Sequence, residues 1–323
     1  MPRFDYAHKW TDEQIEKLEK RLHREYSQAA REMKKRQKEY MREFETERKK
    51  RESLLDDDPK SRKAYESWLS DKALDINWMN GMVDELSRSA NETNQKAAKM
   101  ARDELPRIYS ENANHAGYVI DHEIGLDTSF TLVDESTVRV LMQDDEPPFK
   151  IPKIDNAKDH IWNRQQFTNA ITQGILQGKS VDRIVENTEH LFGKNEAAAV
   201  RAARTAVTGA ENAGRISSYQ RAERLGINLK QEWLATLDVR TRSSHRQLDG
   251  EKVEVGEKFS NGLRFPGDPE GAGSEVYNCR CTLVAAVDGI DQSDAERFNN
   301  LPDGTTYEEW KDQARRRAAG ELA

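Results

Sequence analysis

The sequence has few apolar residues and no long apolar run. Its 323 residues are 36% hydrophobic and 34% charged, with a mean hydropathy of −0.95. No segment approaches the roughly 20 apolar residues that a membrane span needs, and the N-terminus has no apolar signal-peptide core. We therefore expect about two domains that neither cross a membrane nor are secreted by that route, with part of the chain extended or bound to a partner.

Cysteine is also scarce. The chain has only Cys279 and Cys281, which are separated by one residue. A bond between them would close no long loop, so stabilisation by a disulfide framework is excluded.

The first hundred residues predict long helices. Thr11 stands at an N-cap position, with two acids and then Gln14 at the capping-box position. Three adjacent acids before Pro59 end this first helix, and a second helical hairpin is predicted from residue 61 to 107. A narrow apolar stripe on the first helix consists of Ile15, Leu18, Leu22, Tyr26, Met33, Tyr40 and Phe44.

A basic arm is predicted on this first helix, between Lys20 and Arg51. It carries 13 lysines and arginines against 6 glutamates, whereas the whole chain has a net charge of −7. Two interpretations are open: the arm is a solvated hairpin or short coiled coil that packs on the next helices, or it contacts DNA phosphates or an acidic partner surface. The residues predicted for such contact are Lys34, Lys35, Arg36, Lys38, Arg48, Lys49, Lys50 and Arg51.

The middle of the chain predicts a change of structure. Residues 129–133 and 136–142 are rich in β-branched residues and predict two strands. An acidic linker with two prolines follows at 144–148, and helices are predicted again from 157 to 225. In the last of these helices Arg201, Arg204, Arg215 and Arg221 lie on successive turns, either as exposed charges or with Arg204 turned inward to bind a carboxylate.

The predicted fold class is α+β and predominantly α. A long helical N-terminal arm precedes a helical middle and a small, loop-rich C-terminal domain that contains β-strands. The predicted parts are helical hairpins at 1–107, a short β insertion and linker at 108–150, a domain at 151–285 and a C-terminal tail at 286–323.

The segment after the last of these helices concentrates polar residues in a short stretch. Residues 230–237 alternate like a strand with Trp233 buried, and residues 252–255 predict another strand. Between them Asp238 opens a turn, where it can accept backbone N–H groups while Arg240 or Arg242 pairs with it. We interpret this stretch as a buried hydrogen-bonded network that folds a small domain. The predicted members are Trp233, Asp238, Arg240, Arg242, His245, Asp249, Gly250 and Arg280.

A metal site is a second interpretation of the same stretch. His245, Cys279 and Cys281 are ligand types that zinc prefers. The C-x-C spacing counts against it, because common zinc knuckles use C-x₂-C. The expectation is therefore no cofactor, with zinc as the alternative. A fourth ligand would come from Asp238, Asp249 or Asp268.

A nuclease-like site is a third interpretation. His245 would act as general base while Arg240 and Arg242 hold a phosphodiester. No second acid or base stands at a diagnostic spacing, so we expect no catalytic residue in this stretch.

The order of these motifs resembles a known family. Residues 238–250 have the pattern D-x-R-T-R-x-x-H-x-x-L-D-G, followed by P-G-D-P at 266–269 and N-C-R-C at 278–281. Together they resemble the C-terminal domain of the phage Mu F-like minor head proteins, also called the phage head morphogenesis family, over residues 155–285. Where that family usually carries Arg-Thr-Glu, this chain has Arg204-Thr205-Ala206, so no role of that glutamate is carried over.

The resemblance implies a minor head protein of a tailed phage or prophage. Such a protein is expected in the virion, in the head interior at the portal vertex, and in the host cytoplasm during procapsid assembly. The implied partners are the portal protein, a scaffold or major capsid protein and packaged double-stranded DNA, with no membrane contact. The expected mechanism is binding, and the alternative is a nuclease or nucleotide-transfer enzyme delivered with the genome.

Overall fold

Helices make up most of this chain, and the strands are short. The computed structural model describes residues 5–55, 58–152, 159–290, 299–300 and 304–321. The helices are α1 (Tyr6–Tyr40), α2 (Arg42–Glu52), α3 (Pro59–Ala73), α4 (Ile76–Ile124), α5 (Glu135–Leu141), α6 (His160–Leu176), α7 (Val181–Arg224), α8 (Ser243–Gln247), α9 (Gly273–Val276) and α10 (Tyr307–Ala318). The strands are β1 (Leu126–Asp127), β2 (Ile227–Leu234), β3 (Lys252–Glu254), β4 (Thr282–Ile290) and β5 (Asn299–Asn300).

The predicted fold class is confirmed. A three-stranded antiparallel sheet has the order β3-β2-β4, and β1 pairs with β5. Across the larger sheet Trp233 lies opposite Leu283, and Lys230 lies opposite Glu254. Within the described ranges, no helix is both long enough and apolar enough to cross a membrane.

The chain divides into two units, each built from separate stretches of sequence. Unit 1 comprises Met1–Lys17, Met100–Pro152 and Arg201–Ala323, and unit 2 comprises Leu18–Lys99 and Lys153–Val200. The division falls within α1, α4 and α7.

Unit 2 is a set of helices around one apolar core. Phe44 and Trp68 stack with ring centroids 5.5 Å apart, and the predicted stripe of α1 is mostly buried, although Tyr40 is 40% exposed. The core includes Met33, Met41, Phe44, Leu69, Met79, Met82, Val83, Leu86, Phe167, Ile171, Ile175, Ile184, Val185 and Phe192.

The predicted ends of the first helices are partly correct. The break before Pro59 is confirmed, because the Asp58 carboxylate accepts from the N–H of Lys60 at the start of α3; Asp56 and Asp57 lie outside the described residues. The predicted N-cap Thr11 is wrong. It lies inside α1, where its hydroxyl donates to the carbonyl of Ala7 at 2.8 Å.

The two predicted strands at 129–133 and 136–142 are wrong. The second segment is α5, because the Asp134 carboxylate accepts from the N–H of Thr137 at 2.9 Å and caps a helix. The first segment is irregular: the backbone N–H and C=O of Val133 bond to the side-chain amide of Asn114 on α4, at 2.8 and 3.0 Å, instead of to a strand. A side-chain amide thus takes the place of a strand partner.

The strands predicted near 230–237 and 252–255 are confirmed as β2 and β3. Strand β4 was not predicted, although its β-branched residues are a signal for it. It extends to Ile290, beyond residue 286 where a tail was predicted to begin. Within that predicted tail, α10 starts with a Thr306–Glu309 capping box and buries Trp310.

In unit 1, α7 approaches α4 closely at Gly214. A Cβ atom on Gly214 would lie 2.4 Å from the carbonyl oxygen of Tyr109 and 3.2 Å from the nitrogen of Ala113. Close to this point the Ser218 hydroxyl donates to the Ala113 carbonyl at 2.6 Å. Only glycine therefore allows this approach.

We expect Gly214→Ala to lower the free energy of unfolding by about 1–3 kcal/mol, because the added methyl group would overpack the contact. Gly193→Ala is the matched control in the same helix, since a Cβ there would meet nothing within 4 Å. That control should gain about 1 kcal/mol from helix propensity. Denaturant unfolding measures both, and equal stability of Gly214→Ala and the parent would contradict the close approach.

Candidate functional site

Trp233 forms the buried centre of the C-terminal sheet domain. Its side chain is fully buried. The ring lies edge-on to His245, with centroids 5.3 Å apart, and to Phe259, at 5.2 Å. The indole therefore fixes the position of the imidazole relative to β2.

Residues 235–242 follow β2 and form a loop, which we name the tip loop. Hydrogen bonds to Asp238 hold its conformation. Asp238 accepts two hydrogen bonds from the guanidinium of Arg280, at 2.5 and 2.7 Å, and one from the N–H of Arg240 at 2.8 Å. The bonds from Arg280, which outweigh desolvation, hold the pKa of Asp238 well below its usual value. The guanidinium of Arg240 comes only within 3.9 Å and is 72% exposed, and Arg242 donates to the carbonyl of Tyr277. The main partner of Asp238 is therefore Arg280. Of the two arginines predicted to pair with it, Arg240 forms a longer ion pair and Arg242 bonds to Tyr277.

Asp249 and Gly250 close the turn between β2 and β3. The Asp249 carboxylate accepts from the N–H of Ala235 at 2.9 Å, and the N–H of Gly250 donates to the carbonyl of Trp233 at 2.8 Å. Gly250 has a φ of +82°, which favours glycine. These bonds act locally, so the predicted network is divided between this turn, the tip loop and the surroundings of His245.

His245 faces both cysteines in a buried cluster. Its Nδ1 atom lies 3.5 Å from the Sγ atom of Cys279 and 3.5 Å from that of Cys281. Its Nε2 atom lies 3.1 Å from a carboxylate oxygen of Glu275, which also accepts from the Ser244 hydroxyl at 3.1 Å. The three facing side chains are 1% to 3% exposed. We name His245, Cys279 and Cys281 the thiol–imidazole cluster.

The local structure explains why the side chains of His245, Cys279 and Cys281 lie together. His245 lies on the short helix α8, and the two cysteines lie in the irregular segment before β4. Arg280, between the cysteines, points instead to Asp238. Both sulfur atoms therefore face the imidazole.

The two thiols differ in acidity. The hydrogen bond with Cys281, together with burial, raises the pKa of Cys279. The same contact lowers the pKa of Cys281 despite its burial. The contact between the two sulfur atoms therefore shifts their pKa values in opposite directions.

The aspartates considered as a fourth metal ligand have other partners. Asp238 binds Arg280, and Asp249 binds the N–H of Ala235. Asp268, 1% exposed, accepts from Arg264 at 2.8 Å. None of the three belongs to the group of ligand atoms that lie within 4.8 Å of one another in the part of the chain described.

A buried ionic network in unit 1 was missed by the sequence analysis. Arg215 on α7 is 2% exposed and donates to Asp5 at 2.7 and 2.8 Å and to the carbonyl of Leu283 at 3.1 Å. One turn earlier, Glu211 contacts His8 at 2.7 Å. The sequence offered Arg204 as an arginine that turns inward to bind a carboxylate. In this network the inward-turned arginine is Arg215. The sequence signal for this network is the charged pair Glu211 and Arg215, which are four residues apart. Around them lie the small residues Gly209, Ala210, Ala213 and Gly214.

The charges of this network shift their neighbours' pKa values. Burial alone would raise the pKa of Asp5, but the charge and hydrogen bonds of Arg215 hold it well below its usual range. Burial lowers the pKa of His8, but the charge of Glu211 and its hydrogen bond to the ring together raise it by more. The pKa of His8 is therefore raised. The contacts of Asp5 therefore stabilise the fold at pH values above the unfolded-state pKa of Asp5. Those of His8 stabilise it at pH values below the unfolded-state pKa of His8.

Comparison with known proteins shows which family part of this chain resembles. Residues 165–284 match the family model described as Phage Mu protein F like protein. The minor head protein GP7 of Bacillus phage SPP1 is 25% identical over 248 residues, which cover 73% of this chain and 79% of that protein. Residues 165–284 are therefore a phage Mu F-like segment, as the ordered motifs predicted, in a chain that is similar to a phage minor head protein.

A second relative of this Mu F-like chain has a different name. The NAD(+)–arginine ADP-ribosyltransferase EFV of Enterococcus faecalis is 28% identical over 247 residues, or 73% of this chain. The Mu F-like chain spans about half, 49%, of that relative's length. No solved structure matches the chain.

In unit 2 of this Mu F-like protein, most residues predicted for DNA or partner contact pair with carboxylates. Arg48 is buried, so its guanidinium is not presented at the surface. Lys35 and Lys50 are exposed and have no carboxylate within ion-pair distance among the described residues. The pairs are Lys34 with Glu189, Arg36 with Glu85, Lys38 with Asp182, Arg48 with Glu45 and Glu52, Lys49 with Glu45, and Arg51 with Glu47.

We expect Arg215→Met to lower the free energy of unfolding by about 3–5 kcal/mol, because it leaves the carboxylates of Asp5 and Glu211 without their buried cation. Arg224→Met, at an exposed position of the same helix, should change it by less than about 0.5 kcal/mol. Denaturant unfolding at neutral pH compares the two. A loss for Arg215→Met no larger than that of the control would show that the network does not stabilise the fold.

Proposed function

We propose that this Mu F-like protein acts by binding at the portal vertex during procapsid assembly and remains in the virion head. The match to the family over residues 165–284 and the similarity to a phage minor head protein support this role. The observation that carries the binding mechanism is the tip loop, which lies within the matched segment.

The tip loop presents apolar side chains on a fixed backbone. Val239 is 96% exposed and Leu237 is 52% exposed. Between them Asp238 is held by Arg280, and the guanidinium of Arg246 donates to the Asp238 carbonyl. An exposed apolar group on an ordered loop binds a partner with little further loss of conformational entropy. The portal protein is the proposed partner, with a scaffold or major capsid protein next.

Catalysis is not the function we propose. The nuclease hypothesis depends on His245 as a general base, but this residue is 1% exposed, and its two ring nitrogens face Glu275 and the cysteines. A DNA strand could not reach it without opening the domain. The activity named for the Enterococcus faecalis relative is not carried over, because the chain covers 49% of that protein.

Co-expression of the full chain with the portal protein of the same phage or prophage should give a complex that co-purifies. Val239→Asp should weaken it at least tenfold, because a charge would be buried at the contact. Val140→Asp is the matched control on α5, where the parent valine is also exposed, at 63%; it should leave the complex unchanged.

Three outcomes would contradict this proposal. Co-purification with the major capsid or scaffold protein alone would contradict the portal assignment and retain the binding role. Equal effects of Val239→Asp and Val140→Asp would remove the tip loop from the interface. Metal-dependent DNA cleavage that is lost on His245→Ala would replace binding by catalysis.

We further propose a weak, sequence-independent contact between unit 2 and double-stranded DNA. Since Lys35 and Lys50 are the predicted contact residues whose charges are not paired with carboxylates in the described structure, the contact should involve about two phosphates. A plot of log K against log salt concentration should then have a slope of about −2 for the full chain. Lys35→Glu with Lys50→Glu should abolish binding at low salt.

The control for this measurement has the same change in net charge. Lys60→Glu with Lys63→Glu alters two exposed lysines of α3 and should retain most of the binding. A slope near −7 would show that all eight predicted residues reach phosphates. The absence of any salt-dependent binding at low ionic strength would leave unit 2 as a protein-binding surface.

A further inference from the structure

We propose that the thiol–imidazole cluster binds one zinc ion, with His245 Nδ1, Cys279 Sγ and Cys281 Sγ as ligands. This proposal does not rest on the proposed portal binding; geometry, burial and hydrogen bonding support it.

The spacing of the three atoms fits a tetrahedral ion. Zinc holds sulfur at about 2.3 Å and imidazole nitrogen at about 2.0–2.1 Å, so the nitrogen-to-sulfur edge of such a tetrahedron is about 3.5–3.6 Å long. Both nitrogen-to-sulfur distances in the cluster are 3.5 Å, and all three ligand atoms lie within 4.8 Å of one another. The side chains therefore need little movement to take up an ion.

The C-x-C spacing, which counted against zinc in the sequence, presents both sulfurs to one imidazole in the structure. Cys279 and Cys281 face His245, while Arg280 between them is drawn to Asp238 by two hydrogen bonds. The Asp238–Arg280 pair thereby orients the two cysteines. A longer spacing is not needed, because the third ligand comes from α8.

The hydrogen bond on the far side of the imidazole selects the correct tautomer. A carboxylate oxygen only accepts hydrogen bonds, so Nε2 of His245 donates to Glu275 and the lone pair of Nδ1 faces the sulfurs. A carboxylate behind a histidine ligand in this way orients the ring and increases its basicity toward a metal ion. Ser244 bonds to the same oxygen of Glu275 and fixes it in turn.

Charge and ligand type select the ion. Two thiolates and one neutral imidazole balance the charge of a divalent cation, so the occupied site would bury no net charge. Thiolate and imidazole ligands in tetrahedral geometry favour zinc over magnesium, calcium or manganese, which prefer oxygen. The chain supplies three ligands within the described residues, and water or another small ligand would complete the fourth position.

The test uses the full chain, purified under reducing conditions and freed of metal with a chelator. Zinc added alone should bind at one ion per chain by elemental analysis and raise the melting temperature. Cobalt in place of zinc should give intense visible absorption of a tetrahedral site and a sulfur-to-cobalt charge-transfer band. Absence of both cobalt signals from folded, reduced protein would overturn the proposal.

Variants assign the ligands. Cys279→Ser and Cys281→Ser should each remove the charge-transfer band or reduce its intensity and weaken zinc binding by at least 100-fold. Glu275→Gln should weaken it by about 10-fold to 100-fold, with the band retained. His190→Gln, at an exposed histidine outside the cluster, is the control and should bind as the parent does. Unchanged affinity in the cysteine variants would overturn the assignment; if they do not fold, cobalt titration of the parent chain decides.

Discussion

One buried guanidinium joins three distant parts of the sequence in unit 1. Arg215 on α7 bonds to Asp5, which precedes α1, and to the backbone of Leu283 on β4. Burying a charge costs several kcal/mol unless partners compensate it, and here the carboxylates of Asp5 and Glu211 lie beside it. With 36% hydrophobic residues, the chain has limited apolar surface to bury, so polar contacts of this kind determine how α7 lies on the sheet.

Small residues make this polar packing possible. Gly214 lets α7 approach α4 so closely that the Ser218 hydroxyl reaches a backbone carbonyl of α4. On the sheet side the buried amide of Asn212 accepts from the N–H of Leu283 at 2.8 Å, and Gly209 packs against the backbone of Gly267. Short side chains can bond to a neighbouring backbone only where the backbones lie this close. The glycines and the polar contacts of α7 therefore depend on each other.

The segment 279–281 connects the two parts of the C-terminal domain that carry the functional proposals. Arg280 binds Asp238 and holds the tip loop, which exposes Val239. Its neighbours on either side, Cys279 and Cys281, hold His245. Because Arg280 lies between the two cysteines in the chain, the thiol–imidazole cluster and the contact that holds the tip loop share one short backbone segment.

The sequence by itself determined the helical character of the chain, strands β2 and β3 and the family resemblance, because periodic apolar residues and ordered motifs are local signals. It did not determine residues 129–142, where β-branched residues suggested strands but Asn114 and Asp134 supplied the hydrogen bonds that made a loop and a helix instead. Nor did it identify Arg280 as the partner of Asp238. Only the tertiary structure decided which arginine turns inward and that both cysteines face one imidazole. These contacts join residues that are distant in sequence, and they depend on how closely the backbones approach.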